Sequence, residues 1–515
     1  MFHFVPAWYH PERTWYDKTS VWYRRAAGMD FDDTINHVKM FQYIDYQSSL
    51  LILNYMPNLR YFLHRYDLFE QDYYAIFDVI QNTESVRGTR FDFKQLNWSK
   101  KTRFIYTPFA VIAKEGDQKI AQLEFGQDGQ LIWIDFFKES HLDKTFVFDD
   151  RGFLSSILER DESGIPYLQT YFDAKGIWVL KESLVENESK VVINESQKDR
   201  FKKLVYQDLT ELIIEKCQDY YDKVVEKDDT LIYAYDKRHQ AILANIFSNH
   251  QKLVSVFSLR NKKEDFENQK HLLDQNQLII CDHLNLTKKL ETITKTKVEH
   301  LSPFDTRLSL GKSQHIKESI VYFVMDGLDD AQLSKSIDNC YQAMLKDSMI
   351  EIVFVSYERD YSKRMMAYQF LEKTLAQFSE EFMHLEEQQL VSFEIIDAEE
   401  VKPRVAYHYL ESELDVIKYL NQARLIVDLS ETPDLYTQIA GISAGIPQVN
   451  TVSSEYVEDR KNGYILEDIS QLKDAFSFYF DGLANWNQAL VYAVQKINDY
   501  TGGNLVARLL AKSKE

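Results

Sequence analysis

Gly441-Ile-Ser-Ala-Gly445 has the G-x-S-x-G spacing of a nucleophile elbow, where strand, sharp turn and helix expose a serine for attack. The flanking residues order those elements the other way. A helix from about Leu435 leads through the motif into an extended Ile446-Pro-Gln-Val-Asn450, and no histidine follows Ser443 to complete a Ser–Asp–His order. These glycines are expected to serve close helix–strand packing. Gly311-Lys-Ser313 has the ending of a phosphate-cradling P-loop, but the position five residues earlier is Thr306 and no apolar strand leads in, so a loop is expected. Asp30-Phe-Asp32-Asp33 clusters carboxylates of the kind hard cations take, although Asp33 before Thr34-Ile-Asn-His-Val-Lys-Met-Phe41 reads better as a helix cap. Asp236-Lys-Arg-His239 follows a strand, at the end where open α/β sheets bind ligands. Trp8-Tyr9, Trp15-Tyr16 and Trp22-Tyr23 recur every seven residues, with Pro11 interrupting any continuous helix through the first interval. They read either as a buried aromatic anchor or as a surface at Trp8, Trp15 and Trp22 for a glycan or a partner protein.

Three textures of sequence must position these groups. From about 106 to 195, short aromatic and β-branched segments such as Leu131–Phe137 and Lys144–Phe148 alternate with turns at Gln127-Asp-Gly129, Asp149-Asp-Arg-Gly152, Asp161-Glu-Ser-Gly164 and Asp173-Ala-Lys-Gly176. Each turn ends in a glycine able to take positive φ, and the last three glycines are 12 apart, which predicts an antiparallel meander. Phe201, Leu204, Val205, Leu209, Leu212, Ile213, Cys217, Tyr220 and Val224 then follow helical spacing, predicting a helix over 201–225. Near-continuous apolar strands alternate with helices from there: Thr230–Tyr235, Lys252–Phe257 and Gln277–Cys281, and, after a polar stretch near 310, Ile320–Val324, Glu351–Val355, Val391–Ile395 and Leu425–Leu429. Such strands belong to parallel sheets covered on both faces. The expected fold class is α/β, with two doubly wound Rossmann-like domains and an inserted antiparallel β-sheet domain. The first Rossmann-like domain takes 1–105 and 201–310, the insertion 106–200, and the second domain 311–515 with terminal helices.

Composition limits the partners. The chain has 515 residues, with 60 Lys+Arg against 80 Asp+Glu and a net charge of -20. That surplus argues against nucleic acid, whose binding depends on basic side chains releasing counterions, and against direct docking on anionic lipid, so a membrane is expected to be reached only through partners. Cys217, Cys281 and Cys340 are far apart and form no CxxC pair, which suits a reducing cytoplasm rather than a disulfide framework or a zinc site. No signal peptide is visible, and the longest greasy stretch, Ser49–Met56, is far short of a membrane span.

Leu425-Ile-Val-Asp-Leu-Ser-Glu-Thr-Pro-Asp-Leu-Tyr-Thr-Gln-Ile-Ala-Gly-Ile-Ser-Ala-Gly-Ile-Pro447 resembles the C-terminal signature of retaining GT-B glycosyltransferases, and Asp459-Arg-Lys-Asn-Gly463-Tyr-Ile-Leu resembles the next loop and strand of that family. Active members grip the sugar nucleotide with two glutamates eight positions apart, the second five residues before the glycine of G-x-P. Those places fall on Thr432 and Ala440. Active members also carry a Gly-Arg and a nearby Lys after the first strand of this domain, whereas here Val321–Val324 runs into Met325-Asp326-Gly-Leu-Asp-Asp330. The resemblance thus implies a degenerate donor site at Asp326, Ser430, Thr432 and Ala440, with no catalytic, cofactor-binding or metal-binding residues. Over its whole length, from the Trp-Tyr-rich start and Asp33-Thr-Ile-Asn-His-Val-Lys-Met-Phe-Gln42 through the inserted sheet, the chain resembles the first accessory secretory proteins of the bacterial accessory Sec system. That family is GT-B-like without known transferase chemistry. The resemblance implies a non-enzymatic cytoplasmic factor whose partners are two sister accessory proteins, the accessory SecA-type ATPase and a glycosylated serine-rich-repeat adhesin. The inserted sheet also resembles the extension of the glycosyltransferase pair that modifies such adhesins, which would suit recognition of a long Ser-rich chain. An active GT-B glycosyltransferase modifying a Ser-rich protein and a carbohydrate-binding module are the alternatives.

Overall fold

The computed structural model describes residues 1–17, 32–88, 91–126, 129–185, 190–261, 263–301, 310–358, 360–385, 403–410 and 413–513. They form two compact units, one built mainly on Phe41–Asp282 with the N-terminal strand and Leu286–His300, the other on Leu301–Glu515.

The first unit holds a seven-stranded, all-parallel sheet in the order Lys297–His300, Leu278–Cys281, Gln251–Val256, Thr230–Ala234, Phe2–Val5, Ser48–Ile52, Asp72–Ala75. Thr230–Ala234 and Ser48–Ile52 are buried at every position, as expected of strands covered on both faces. Phe2–Val5, which has no repeat or turn to announce it, is central: it pairs with Ser48–Ile52 on one side and Thr230–Ala234 on the other. The order reverses between these last two neighbours, so the carboxyl ends of Phe2–Val5 and Thr230–Ala234 form the switch point. The following helix is Leu209–Val224, eight residues shorter at its start than the apolar spacing predicts. Asp208 sets the boundary by accepting from Glu211 N–H at 2.9 Å. Phe201 still packs on the same core, while Val205–Tyr206 is a strand, which is why the periodicity ran on past the true cap.

A ten-stranded antiparallel sheet belongs to the same unit, its strands in sequence order from Arg103–Tyr106 to Val205–Tyr206. Three of its turns repeat one device. Gly152, Gly164 and Gly176 have φ of +89°, +80° and +80°, and each donates to the carbonyl of an aspartate three residues earlier at 2.8–3.0 Å. The 12-residue spacing of these glycines is one strand plus one turn. The Asp149–Gly152 turn also locks the sheet to the parallel layer. Arg60 reaches Asp150 at 2.6 Å, Asp78 at 2.8 Å and Asp149 at 3.1 Å, and Arg151 reaches Asp149 at 2.7 Å and Asp78 at 3.0 Å. Tyr61 N–H adds a 2.9 Å bond to Asp150. Three desolvated carboxylates are thus held by two guanidiniums whose fork geometry suits them.

The second unit is a six-stranded parallel sheet in the order Val405–Tyr409, Ile350–Ser356, Ser319–Val324, Leu425–Asp428, Gln448–Asn450, Gly463–Ile465. This is the doubly wound order, with its switch between Ser319–Val324 and Leu425–Asp428. The strand expected at Val391–Ile395 lies outside the described residues. Leu435–Ala444 is the helix that carries G-x-S-x-G, and Gly445, at φ +74°, ends it. A Cβ on Gly441 would stand 2.6 Å from Gln448 Nε2 and 2.8 Å from Ile426 Cδ1, so this glycine permits close helix–strand packing. Leu472–Phe480, Leu483–Ile497 and Gly502–Lys512 complete the unit.

Removing Arg60 leaves Asp149 and Asp150 buried with one guanidinium fewer. Arg60→Met is expected to cost on the order of 3 kcal/mol, read as a lower midpoint of the first transition in urea, with Asp150→Asn costing less.

Candidate functional site

The strand Ser319–Val324 ends in Met325-Asp326-Gly327, and Leu425–Asp428 ends in Leu429-Ser430, so both loops meet at the carboxyl side of the switch. Asp326 accepts from Ser356 Oγ at 2.6 Å and from Tyr357 N–H at 2.5 Å. Asp428 accepts from Ser430 Oγ at 2.7 Å, Ser430 N–H at 3.2 Å and Asp434 N–H at 2.8 Å. Asp434, capping Leu435–Ala444, accepts from Thr437 N–H at 2.8 Å and Thr437 Oγ1 at 2.6 Å. Tyr322 and Tyr357 share a 2.5 Å hydroxyl contact, and Tyr357 OH lies 2.7 Å from Thr437 Oγ1, so the three acids sit in one connected polar network. Every donor in it is neutral. Among the described residues no lysine or arginine forms an ion pair with Asp326, Asp428 or Asp434.

Burial therefore governs their protonation. Desolvation pushes the Asp326 and Asp428 carboxyls upward against the pull of their hydrogen bonds, and pushes Asp434 up to about 6, with the charges of Asp428 and Asp326 adding to the rise. The loop after Ser319–Val324 leaves no room for a side chain at one position. Gly327 has φ +80°, and a Cβ there would lie 2.8 Å from Ser430 Cβ.

At the switch point of the first unit, polar groups are spent on holding the N-terminal segment. His239 Nε2 lies 2.7 Å from Ala234 O, which can only accept, so Nε2 carries the proton and Nδ1 accepts from Tyr9 OH at 2.7 Å. Burial lowers His239 to about 4, leaving it neutral at pH 7. Arg238 donates to His10 O at 3.0 Å and covers the Tyr9 ring at 4.9 Å. The Asp236–His239 turn is a clasp for Tyr9-His10.

The other predicted positions disperse. Trp8 and Trp15 are 5% and 2% exposed; Trp8 packs on Phe62, and Trp15 donates to Thr210 Oγ1 at 3.0 Å. Neither leaves a ring face for a ligand, so a surface platform is corrected to core at both. Trp22 lies outside the described residues. Thr432 is exposed in the loop after Ser430, and Ala440 is buried in Leu435–Ala444. Asp32, one residue before the expected cap, closes its helix by accepting from Ile35 N–H at 3.0 Å, while Asp30 lies outside the described residues. Gly311-Lys-Ser313 falls at a short 3-10 turn. Sequence reasoning located Asp326 and Ser430 but missed Asp428, Asp434, Tyr357 and Thr437. Asp428 closing an apolar strand and Asp434 preceding a helix were the available signals.

The family model of accessory secretory protein 1 of the accessory Sec system matches residues 1–515. A protein of that description from Streptococcus gordonii is 37% identical over 523 residues, covering 99% of this chain and 98% of its own. Among solved structures, the glycosylation-associated Gap123 complex of Streptococcus agalactiae contains a chain 44% identical, with TM-score 0.85 and coverage of 99% and 100%. The structure of accessory secretory proteins 1, 2 and 3 of Streptococcus pneumoniae gives 33% identity, TM-score 0.83 and coverage of 100% and 99%. The pneumococcal O-GlcNAc transferase GtfA, at 11% identity, TM-score 0.68 and coverage of 100% and 98%, shares the fold, which is GT-B-like.

The raised Asp434 fixes a pH dependence. The native state takes up this proton below about 6 and the unfolded chain only below about 4, so this group's contribution is full at low pH and is lost as pH rises through that window. Asp434→Asn keeps the acceptor for Thr437 N–H. The variant is expected to gain on the order of 1–2 kcal/mol over wild type at pH 7.5, and to lose that advantage at pH 4, in urea titrations at both.

Proposed function

We propose that this chain, which belongs to the accessory secretory protein 1 family of the accessory Sec system, is a non-enzymatic export factor. It assembles with two sister accessory proteins and a SecA-type ATPase, and helps present a glycosylated serine-rich-repeat adhesin to that motor. The observation carrying the loss of transferase chemistry is the acid network at the second switch point. A nucleotide diphosphate placed beside Asp326, Asp428 and Asp434 would meet like charge and donors already engaged, where a working site supplies cations. The positions matching the donor-gripping glutamates offer a hydroxyl at Thr432 and a methyl at Ala440. Both leave sugar hydroxyls without a charged acceptor.

The sister partners are supported by the pneumococcal relative, whose structure comprises accessory secretory proteins 1, 2 and 3. A cytoplasmic place of work is supported by the three cysteines, all buried free thiols. No helix among the described residues is long and apolar enough to cross a membrane, and membrane residence through the partners accords with the acidic charge.

Calorimetry with UDP-GlcNAc is expected to give no saturable heat at millimolar ligand, and size-exclusion chromatography with the two purified sister proteins is expected to give one stoichiometric complex. Micromolar binding with sugar transfer to a Ser-rich peptide would make the protein an enzyme instead. Failure to join the sisters would leave a free-standing carbohydrate-binding module.

A further inference from the structure

The strand Arg103–Tyr106 ends the antiparallel sheet and has a neighbour on one side only, Ala110–Glu115. The hairpin joining them decides which backbone groups that neighbour uses. Thr107 N–H donates to Ala110 O at 3.0 Å. Since hydrogen-bonded and non-bonded pairs alternate along an antiparallel ladder, Ile105 and Arg103 bond inward to Ile112 and Lys114 in the observed register. The N–H and C=O of Phe104 and Tyr106 therefore point outward, on the side where no strand among the described residues pairs with them.

Such an edge is usually covered or interrupted. This one is apolar: Ile105 is 45% exposed, Tyr106 60% and Phe109 54%. Beside the hairpin tip is a hollow of about 320 Å³, lined by Thr107, Phe109, Val111, Phe125 and Gly126 among others. The surrounding charge opposes that of the whole chain. From Asp92 to Glu115 there are five basic residues, Lys94, Lys100, Lys101, Arg103 and Lys114, against two acids, Asp92 and Glu115, within a protein of net charge -20, and Glu115 is engaged by Thr102 Oγ1 at 3.2 Å. The register sets Arg103 opposite Lys114 and Lys114 opposite Lys119, so a basic row crosses three strands.

We propose that this edge docks an extended acidic segment of a partner protein, which adds as a further strand. Its backbone pairs with Phe104 and Tyr106, its carboxylates lie against Lys100, Lys101 and Arg103, and an apolar side chain enters the hollow beside Phe109 and Phe125. Main-chain bonds supply affinity in this mode of recognition, and the flanking charge selects the partner. A second copy of this chain is disfavoured, because pairing two such edges sets basic residues against basic residues. The inference concerns a binding surface and does not rest on the absence of transferase activity or on the export role.

The test uses the full-length protein and labelled, end-blocked peptides of about eight residues with Glu-Val, Lys-Val or Ser-Gly repeats, read by fluorescence anisotropy at low salt. Saturable binding of the Glu-Val peptide alone is expected. Lys100→Glu with Lys101→Glu, both at exposed positions, is expected to weaken it at least about tenfold. Tyr106→Pro removes an outward N–H while sparing the Thr107–Ala110 bond, and is expected to weaken it similarly with an unchanged melting temperature. Equal binding of all three peptides, or undiminished Glu-Val binding in the charge-reversed variant, would overturn the proposal. So would sedimentation showing a homodimer that the charge-reversed variant dissociates.

Discussion

A carboxylate stripped of water must find hydrogen-bond donors or take up a proton, and the second unit meets that demand at Asp326, Asp428 and Asp434 with hydroxyls and backbone amides alone. Ser356, Tyr357, Ser430 and Thr437 turn inward to do so. The strand order of the unit reverses here, where a doubly wound sheet offers its natural binding crevice. Groups that would otherwise greet a ligand are consumed in satisfying the site itself.

The same problem is solved differently where rigidity is required. Asp78, Asp149 and Asp150 are held by Arg60 and Arg151, and that clamp fixes a hairpin turn of the antiparallel sheet to the parallel layer. Guanidiniums keep their charge under all relevant conditions, although burial and the neighbouring Asp149 push the Asp150 carboxyl up to about 6, so that arm of the joint weakens as pH falls through that value. Around Asp434 every donor is neutral, so no fixed positive charge opposes its rise to about 6. One arrangement ties a hairpin turn to the parallel layer; the other ties two strand-end loops to a helix N-terminus. At the first unit's switch point a third solution appears, with His239 kept neutral between Tyr9 and Ala234.

Much of the fold was legible because its signals are local. The glycines at 152, 164 and 176 needed positive φ for their turns and have it, and the apolar runs at Thr230, Gln251 and Leu278 became buried parallel strands. What the sequence hid depends on distant partners. Phe2–Val5 is a strand only because Thr230–Ala234, more than two hundred residues later, pairs with it. Trp8 and Trp15 could be assigned to surface or core only once Phe62 and Thr210 were in place around them. Asp208 defeated the helical periodicity because a cap is one residue's hydrogen bond, whereas apolar spacing averages over many. Part of the candidate site was legible, since Asp326 and Ser430 stand where a resemblance to transferases demanded other groups. Asp428 and Asp434 were not, since their importance lies in being brought together.

Backbone conformation as well as side chains limits what the loop after Ser319–Val324 can carry. Acids at Thr432 and Ala440 would add negative charge to a unit that already brings Asp326, Asp428 and Asp434 together at its switch point, and Ala440 is buried in Leu435–Ala444, where a longer side chain would have to displace its neighbours. A diphosphate clamp would first need cations after the strand Ser319–Val324. There Gly327 is left-handed with its missing Cβ pressed toward Ser430, and Leu328 packs on the core. An arginine at 327 would be strained in φ and would clash with Ser430. A cationic side chain at that position therefore requires the loop to be rebuilt.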